Sequence, residues 1–130
     1  PTPLGGEPVS LWNQKTQKPA TASPLIMEDV IYFTNSAGVL TAADRKTGKR
    51  LWRIRMKGPF SGSPVACQNG HLYFFNEEGL GQVVDITGDI GKVVSEFDLG
   101  ETILATPSIS QNSLYIRSDQ TLWKFSAQKE

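Results

Sequence analysis

The sequence predicts an all-β fold built from about three repeated units, each a four-stranded antiparallel sheet. Two observations carry this prediction: landmark residues recur about every 40 residues, and short runs of β-branched and aromatic residues alternate with turn residues. No segment keeps a 3.6-residue apolar period, and the frequent Gly, Pro and Asn residues between the runs exclude helical solenoids of similar repeat length. Four strands in a repeat of this length are typical of a β-propeller blade, whose sheet packs against a neighbour on each side.

The repeat is clearest in a hydroxyl residue followed by proline, and in a tyrosine that comes a few residues later. The three prolines are 40 and 43 residues apart, and the three tyrosines are 41 and 42 residues apart. Each tyrosine lies between two large apolar residues, as expected for a strand that is buried on both faces. The pairs are Ser23–Pro24, Ser63–Pro64 and Thr106–Pro107, and the tyrosines are Tyr32, Tyr73 and Tyr115.

Turn signals divide each unit into its strands. A short turn follows each tyrosine strand, at residues 35–38, 76–79 and 118–120, and glycine closes the first two of these turns. The predicted partial propeller covers residues 10–130 and follows a flexible N-terminal segment at residues 1–9. Within it we expect blades over about residues 22–56, 62–98 and 104–126, with residues 10–15 as an outer strand that closes the third sheet.

Composition excludes several classes of function. Thirteen Lys and Arg balance thirteen Asp and Glu, so no net basic field would attract nucleic acid. Cys67 is the one cysteine and His71 the one histidine, which excludes an internal disulfide and a multi-histidine metal site. No apolar run approaches the roughly 18 residues of a membrane-spanning helix. The expected partners therefore include neither nucleic acid nor a membrane core.

One motif points to a family. The residues Ala42, Asp44, Thr47, Gly48 and Trp52, in that spacing, resemble the tryptophan-docking motif of quinoprotein-type repeats, usually called PQQ-like repeats. The aspartate and threonine can close a tight turn on backbone amides, and glycine leaves its peptide plane unhindered. We expect the tryptophan ring to stack over that glycine peptide. The resemblance implies that such docking ties adjacent blades together.

The later copies of the motif are weaker. In the second copy Asp85, Gly88 and Gly91 keep part of the turn, and Phe97 stands near the expected place of the tryptophan. The third copy reaches the end of the sequence at Lys129–Glu130 without a Thr-Gly turn or a closing strand. We therefore expect looser docking in the second unit and an incomplete third blade.

The resemblance implies that the chain shares the propeller scaffold of this family but not its oxidation chemistry. Quinone-dependent alcohol dehydrogenases of this superfamily carry a vicinal cysteine pair, a Ca²⁺ site and a catalytic aspartate, and none of these can be placed in this sequence. We therefore expect no catalytic, cofactor-binding or metal-binding residue and no cofactor. Non-enzymatic relatives, such as the propeller lipoprotein of bacterial outer-membrane assembly, are the better analogues. The resemblance implies an extracytoplasmic location.

For four other features of the sequence, a structural role is favoured over a functional one. Cys67 lies in an apolar run, where a buried inert thiol is the leading interpretation over a nucleophile. His71 follows a turn, so a surface position is favoured over a general base. Glu77–Glu78 lies in a hairpin turn and is expected to be solvated. The basic stretch over residues 46–57 is interpreted as a solvated sheet edge, with a docking patch for an acidic partner as the alternative.

The leading functional hypothesis is a non-enzymatic propeller segment that binds proteins as a scaffold. Three blades are fewer than the four to eight of known propellers. We therefore expect the partner to be another protein, the remaining blades of the same propeller, or further copies of this chain. The alternative is the C-terminal part of a quinone-dependent dehydrogenase, or another propeller enzyme, whose active site lies in other blades. A third hypothesis is a sensor domain attached to a kinase or membrane protein.

Overall fold

The computed structural model describes residues 5–126, which form eleven strands and no helix. The strands make three antiparallel sheets, and each sheet uses one continuous stretch of the chain. Consecutive sheets pack face to face through apolar side chains. The predicted all-β propeller segment is thus confirmed. The described residues contain no helix with the length and apolarity needed to cross a bilayer.

The first two sheets have four strands and the third has three. In each sheet the strands lie side by side in the order of the chain, joined by short turns. The first sheet contains β1 (Leu25–Met27), β2 (Val30–Thr34), β3 (Val39–Asp44) and β4 (Arg50–Arg55). The second contains β5 (Val65–Ala66), β6 (His71–Phe75), β7 (Leu80–Asp85) and β8 (Lys92–Asp98). The third contains β9 (Ser108–Ser110), β10 (Ser113–Arg117) and β11 (Leu122–Ser126).

The strand register shows which residues correspond between sheets. Each repeat tyrosine faces the middle of the next strand, and the register shifts at the same place in the first two sheets, just before residues 43 and 84. Because side chains alternate between the two faces of a strand, this register also assigns each side chain to a face. The pairs formed by the tyrosines are Tyr32 with Ala42, Tyr73 with Val83 and Tyr115 with Lys124.

The core between the first and second sheets is continuous. Side chains of both sheets and of the linker between them are buried in it, and partly buried residues such as Trp52 and Ile54 pack around its edge. Removing this much apolar surface from water is the main force that holds the two sheets together. The buried residues are Tyr32, Leu40, Ala42, Met56, Phe60, Leu72, Phe74 and Val84.

The core between the second and third sheets is smaller. Its buried residues are Phe75, Ile103, Leu114 and Ile116. Aromatic rings line its outer side: the ring of Phe97 lies 5.6 Å from that of Phe75 and 5.6 Å from that of Phe125. Trp123 stacks on Phe125 with a centroid distance of 5.9 Å.

Residues 10–15, expected as the outer strand of the third sheet, form no strand in this structure. They lie beside the first sheet, where the indole of Trp12 contacts the turn that follows β3. Because that contact holds the segment at the first sheet, it is not paired with β11. The predicted domain boundaries remain predictions, and residues 1–4 and 127–130 of those ranges lie outside the described part of the chain.

Candidate functional site

The turn after β3 is closed by its own side chains. Asp44 Oδ1 accepts hydrogen bonds from the backbone N–H groups of Lys46, at 2.7 Å, and Thr47, at 3.0 Å. These bonds, led by the one from Lys46, lower the pKa of the Asp44 carboxyl because they favour its charged form. Thr47 Oγ1 accepts from the N–H of Lys49 at 3.2 Å. Gly48 has a φ of +74°, a conformation that glycine adopts without steric strain.

The ring that lies on this turn belongs to Trp12. A Cβ on Gly48 would lie 2.5 Å from Cε3 of Trp12, and Trp12 Nε1 donates a hydrogen bond of 3.0 Å to the carbonyl of Arg45. Gln17 adds a bond of 2.8 Å from its Nε2 to the Gly48 carbonyl. The expectation that Trp52 stacks on Gly48 is therefore wrong. The turn is contacted by the segment that precedes its own sheet.

Trp52 contacts the turn of the following sheet instead. Trp52 pairs with the fully buried Ala42, and both side chains are on the face of the first sheet that packs against the second. A Cβ on Gly91 would overlap Cη2 of the indole, and the ring centroid lies 5.9 Å from that of Tyr32. The tryptophan contacts therefore link successive units: Trp12 contacts the turn after β3, and Trp52 contacts the turn after β7.

The turn after β7 is also closed by an aspartate, but its hydrogen bonds differ from those of the turn after β3. Asp85 Oδ1 accepts bonds from the Thr87 hydroxyl, at 2.6 Å, and the Thr87 N–H, at 2.8 Å. The hydroxyl bond is the main reason that the pKa of Asp85 is lowered. Of the two glycines expected in this turn, Gly91 contacts Trp52, whereas a Cβ on Gly88 would meet only the Ile90 carbonyl at 3.8 Å.

Phe97 does not take the place of the tryptophan in the second unit. Ser95, opposite Val83, holds the register position that corresponds to Trp52. Phe97 lies two residues further along and is paired with Gly81, where a Cβ would be 2.5 Å from Cζ of the ring. Glycine at position 81 therefore makes room for a large ring at the outer edge of the second sheet.

Asparagine closes the hairpin turn in the first two sheets. Asn35 Oδ1 accepts two backbone N–H groups of its own turn, each at 3.0 Å. Asn76 Oδ1 does the same at 3.0 and 2.9 Å. These local bonds close each turn on its own strands, and in the second sheet Nδ2 of Asn76 also donates a bond of 3.0 Å to the carbonyl of Lys57 in the preceding linker.

The third hairpin turn depends on a carboxylate from outside it. Ser118 stands where the other turns have asparagine, and Glu101 of the preceding linker accepts a bond of 2.6 Å from its Oγ. Glu101 also accepts from the N–H of Gln120 at 2.9 Å and from Oγ1 of Thr121 at 2.8 Å. These bonds, led by the one from Ser118, lower the pKa of the Glu101 carboxyl.

The recurring hydroxyl–proline pairs, which lie just before β1, β5 and β9, link successive units. The N–H of Ser23 donates a bond of 2.8 Å to Oγ of Ser63. The N–H of Ser63 in turn donates a bond of 2.9 Å to Oγ1 of Thr106. The hydroxyl of each unit therefore accepts a hydrogen bond from the preceding unit, which explains why serine or threonine recurs before the proline. We call this series the hydroxyl line.

The open side of the third sheet differs from the matching sides of the other two. This front face, which points away from the second sheet, contains Tyr115, Arg117, Leu122 and Lys124. At the register position of Arg117 the first two sheets have Thr34 and Phe75, and at that of Lys124 they have Ala42 and Val83, all four buried. The front face thus carries two cations where the inner junctions bury neutral side chains.

The open side of the first sheet is concave and basic. This rear face, which points away from the second sheet, borders a cavity of about 520 Å³. Four basic side chains line it, together with polar residues of the segment that precedes β1. Oε1 of Gln17, also in its lining, is buried without a hydrogen-bond partner. The basic residues are Lys18, Lys49, Arg50 and Arg53.

A larger cavity lies between the second and third sheets. It has a volume of about 820 Å³, and its lining includes Cys67, Tyr73 and Phe97. Cys67 was expected to be a buried thiol, but it is only partly buried and borders this cavity. His71 pairs with Asp85 at the start of β6. Within residues 5–126 no three His, Cys, Asp or Glu side chains lie together as a metal site.

Comparison with known proteins identifies the family. A family model described as outer membrane protein assembly factor BamB, of the PQQ-like repeat type, matches residues 9–59 and 36–129. The two matches together span most of the chain. The chain belongs to this family.

Proteins of two kinds, alcohol dehydrogenases and an assembly factor, are similar to this chain. The quinoprotein alcohol dehydrogenase PedH of Pseudomonas putida is 31% identical over 110 residues, which are 75% of this chain and 18% of that protein. The structure of BamB from Moraxella catarrhalis matches with a TM-score of 0.63 and 20% identity, over 79% of this chain and 32% of that one. The quinohemoprotein alcohol dehydrogenase ADHIIG of Pseudomonas putida matches with a TM-score of 0.59 and 19% identity, over 77% and 17%. The chain thus spans a third or less of the length of these relatives.

Some functional contacts of this PQQ-like chain were not predicted from the sequence. Gly81 and Glu101 lie in no recognised sequence motif. Ser23, Ser63 and Thr106 were identified only as markers of the repeat. The signal for the line was present, because a hydroxyl residue recurs before proline in all three units. The signal for Gly81 lies in its pairing with Phe97, which only the strand register shows.

Proposed function

We propose that this chain is a propeller segment that binds other proteins as a scaffold and has no catalytic role of its own. The observation that carries the proposal is the pair of open ends. Its inner junctions are packed, yet the rear face of the first sheet and the front face of the third have no neighbouring sheet among residues 5–126. Surfaces of this kind are where a propeller segment would meet a partner.

The partners that fit these ends are further blades, another protein, or a second copy of the chain. Three sheets are fewer than the four to eight that closed propellers use. The family description, an outer membrane protein assembly factor, supports a protein-binding role and an extracytoplasmic location. The docking residues Ala42, Asp44, Thr47, Gly48 and Trp52 would then act as structural links between blades.

A second candidate function is supported by the likeness to PedH. That protein is named as a quinoprotein alcohol dehydrogenase, and 75% of this chain aligns with it at 31% identity. In this alternative the chain is the C-terminal part of a quinone-dependent enzyme whose active site lies in other blades.

Titration with the quinone separates the two candidates. Because the enzyme alternative places the active site in other blades, a longer natural protein that contains this chain is mixed with pyrroloquinoline quinone and Ca²⁺, and binding is followed by calorimetry and by the absorbance of the quinone. The scaffold proposal predicts no saturable uptake at micromolar protein. Stoichiometric uptake that requires Ca²⁺ would contradict it and favour the enzyme alternative.

A further inference from the structure

We propose that the cavity between the second and third sheets binds a small planar aromatic molecule of the indole class. The inference goes beyond the proposed function, because it assigns a ligand site to the chain itself and needs no partner protein. It is supported by two small side chains at the second junction, by the aromatic lining of the cavity, and by amide groups that form no hydrogen bond. The first junction shows which chemical group fills the corresponding space.

The second junction has smaller side chains at two positions that are filled at the first junction. In the first sheet Trp52 and Met27 pack against the buried core. The strand register places Ser95 at the position of Trp52. Cys67, which bonds to the start of β6, stands at the position of Met27, which pairs with the start of β2. An indole and a thioether are thus replaced by a hydroxymethyl group and a thiol, and Cys67 lines the cavity of about 820 Å³ at this junction.

Other walls of this cavity match the surroundings of the Trp52 indole. At the first junction the centroid of that indole lies 5.9 Å from that of the Tyr32 ring. Tyr73, the corresponding residue of the second sheet, lines the cavity together with Phe97 and Phe125. Aromatic rings favour flat aromatic partners in offset or edge-to-face contact. A planar ring in the cavity therefore meets the same type of surface that the first junction provides for Trp52.

Side-chain amides give the cavity a means to orient a ligand. Gln68 and Asn112 line it, and neither side-chain amide takes part in a hydrogen bond within residues 5–126. Each amide offers a carbonyl acceptor and an NH₂ donor. An indole N–H can donate to such a carbonyl, as Nε1 of Trp12 does to a backbone carbonyl at the turn after β3. The described lining contains no charged side chain, which favours a neutral ligand over an ion.

The size of the cavity suits a small molecule. Ligand cavities in proteins commonly measure roughly 300 to 1,000 Å³ and are lined mainly by apolar side chains with a few polar groups. The cavity at the second junction, of about 820 Å³, has this size and this type of lining. The tryptophan side chain of another protein is the alternative occupant, and the experiment separates the two.

The experiment is a titration of the parent chain with indole, followed by calorimetry and by the melting temperature. We expect saturable uptake of about one indole per chain. The melting temperature should rise by about 3 °C when the indole concentration is about ten times its Kd. N-acetyltryptophanamide, which mimics a tryptophan within a protein, is titrated in parallel. Binding of that compound without binding of indole would overturn the assignment of a small-molecule ligand.

Substitutions on both sides of the comparison locate the site. Ser95→Trp provides an indole from the chain itself, so it should abolish the uptake of free indole and raise the melting temperature. Ser95→Ala is the matched control, because it leaves the space open and should bind indole as the parent does. Tyr73→Leu removes a ring from the wall and should weaken binding about fivefold. Trp52→Ser copies the second junction into the first and should add a second bound indole per chain.

The proposal fails if the folded parent chain shows no saturable uptake of indole. It also fails if Ser95→Trp and Tyr73→Leu both leave uptake unchanged, because the ring would then bind elsewhere on the chain. Circular dichroism checks that each variant is folded, and Tyr73→Leu keeps the test valid if Ser95→Trp does not fold. The titration contains no Ca²⁺ and no quinone, so its failure is distinguishable from failure of the proposed function.

Discussion

The two junctions between sheets are built from the same repeat but differ in how completely they are packed. At the first junction Trp52 contacts Gly91, and the Gln82 side chain bonds both the N–H and the carbonyl of Lys57, at 2.9 and 2.8 Å. At the second junction a smaller buried core is bordered by the partly exposed rings of Phe97 and Phe125 and by a cavity of about 820 Å³.

This difference follows from the outer strand. The first sheet has four strands, and its outer strand provides the tryptophan that reaches the next unit. The second sheet has an outer strand without a tryptophan at that register position, and the third has no outer strand in the described chain. The repeat therefore becomes less regular from the first sheet to the third, and each substitution below tests one contact in this series.

The largest effect is expected at the first junction. Trp52→Ala removes a ring that packs on Gly91 and Tyr32, so the free energy of unfolding should fall by about 3 kcal/mol. Urea denaturation measures this change. A loss below about 0.5 kcal/mol, the level of an ordinary surface substitution, would contradict the assigned contact.

Two glycines of the same turn provide a matched control for that contact. Gly91→Ala places a methyl group against the indole and should destabilise the chain by about 1 to 3 kcal/mol. Gly88→Ala places the methyl group where only a carbonyl lies near, at 3.8 Å, and should change stability little. Equal effects of the two substitutions would mean that the indole does not lie on Gly91.

A smaller effect is expected at the second junction. Phe97→Ala removes a ring that contacts Phe75, Phe125 and Gly81, but one side of this ring borders an open cavity. We expect a loss of about 2 kcal/mol, less than at Trp52, because part of the ring is already in water. A loss greater than that of Trp52→Ala in the same urea series would reverse the ranking of the junctions.

The hydroxyl line should contribute less than either aromatic contact. Ser63→Ala removes the acceptor of the Ser23 N–H and should lower stability by about 1 kcal/mol. Ser23→Ala is the control, because its Oγ accepts no bond from the described residues while its N–H is retained. If the two substitutions had the same effect on the melting temperature, the bond between Ser23 and Ser63 would not contribute to stability.

The smallest effect is a pH dependence shared by all three units. Hydrogen bonds lower the pKa values of Asp44, Asp85 and Glu101. A carboxyl whose pKa is lower in the folded chain stabilises it above the unfolded value of about 4, and this contribution is lost as the pH falls through the folded value. The melting temperature should therefore be insensitive to these groups near neutrality and decrease below about pH 4. Glu101→Gln should reduce the slope of that decrease. An unchanged slope would mean that Glu101 does not contribute to the pH dependence.

The sequence allowed the fold to be predicted because its signals are local. A hydroxyl residue before proline, a tyrosine between apolar residues and a glycine turn recur in register, and they define three sheets in their order. The family motif was also recognisable from a short stretch of sequence. These features depend on residues that are close together in the chain.

The contacts between units were not predictable in the same way. The indole on Gly48 belongs to Trp12, and that of Trp52 reaches Gly91, about 40 residues further along. Sequence spacing alone does not decide whether a tryptophan packs within its own unit or on the next. The prediction for residues 10–15 was wrong for a related reason, since the pair Leu11–Trp12 suits an outer strand but does not specify its sheet.

Light scattering combined with an apolar fluorescent dye on the parent chain is the most direct test of the central claim. The claim is that three packed sheets leave two ends that need a neighbour from outside this chain. The account predicts a folded chain that binds the dye while monomeric. A monomer that unfolds cooperatively and binds no dye would contradict it.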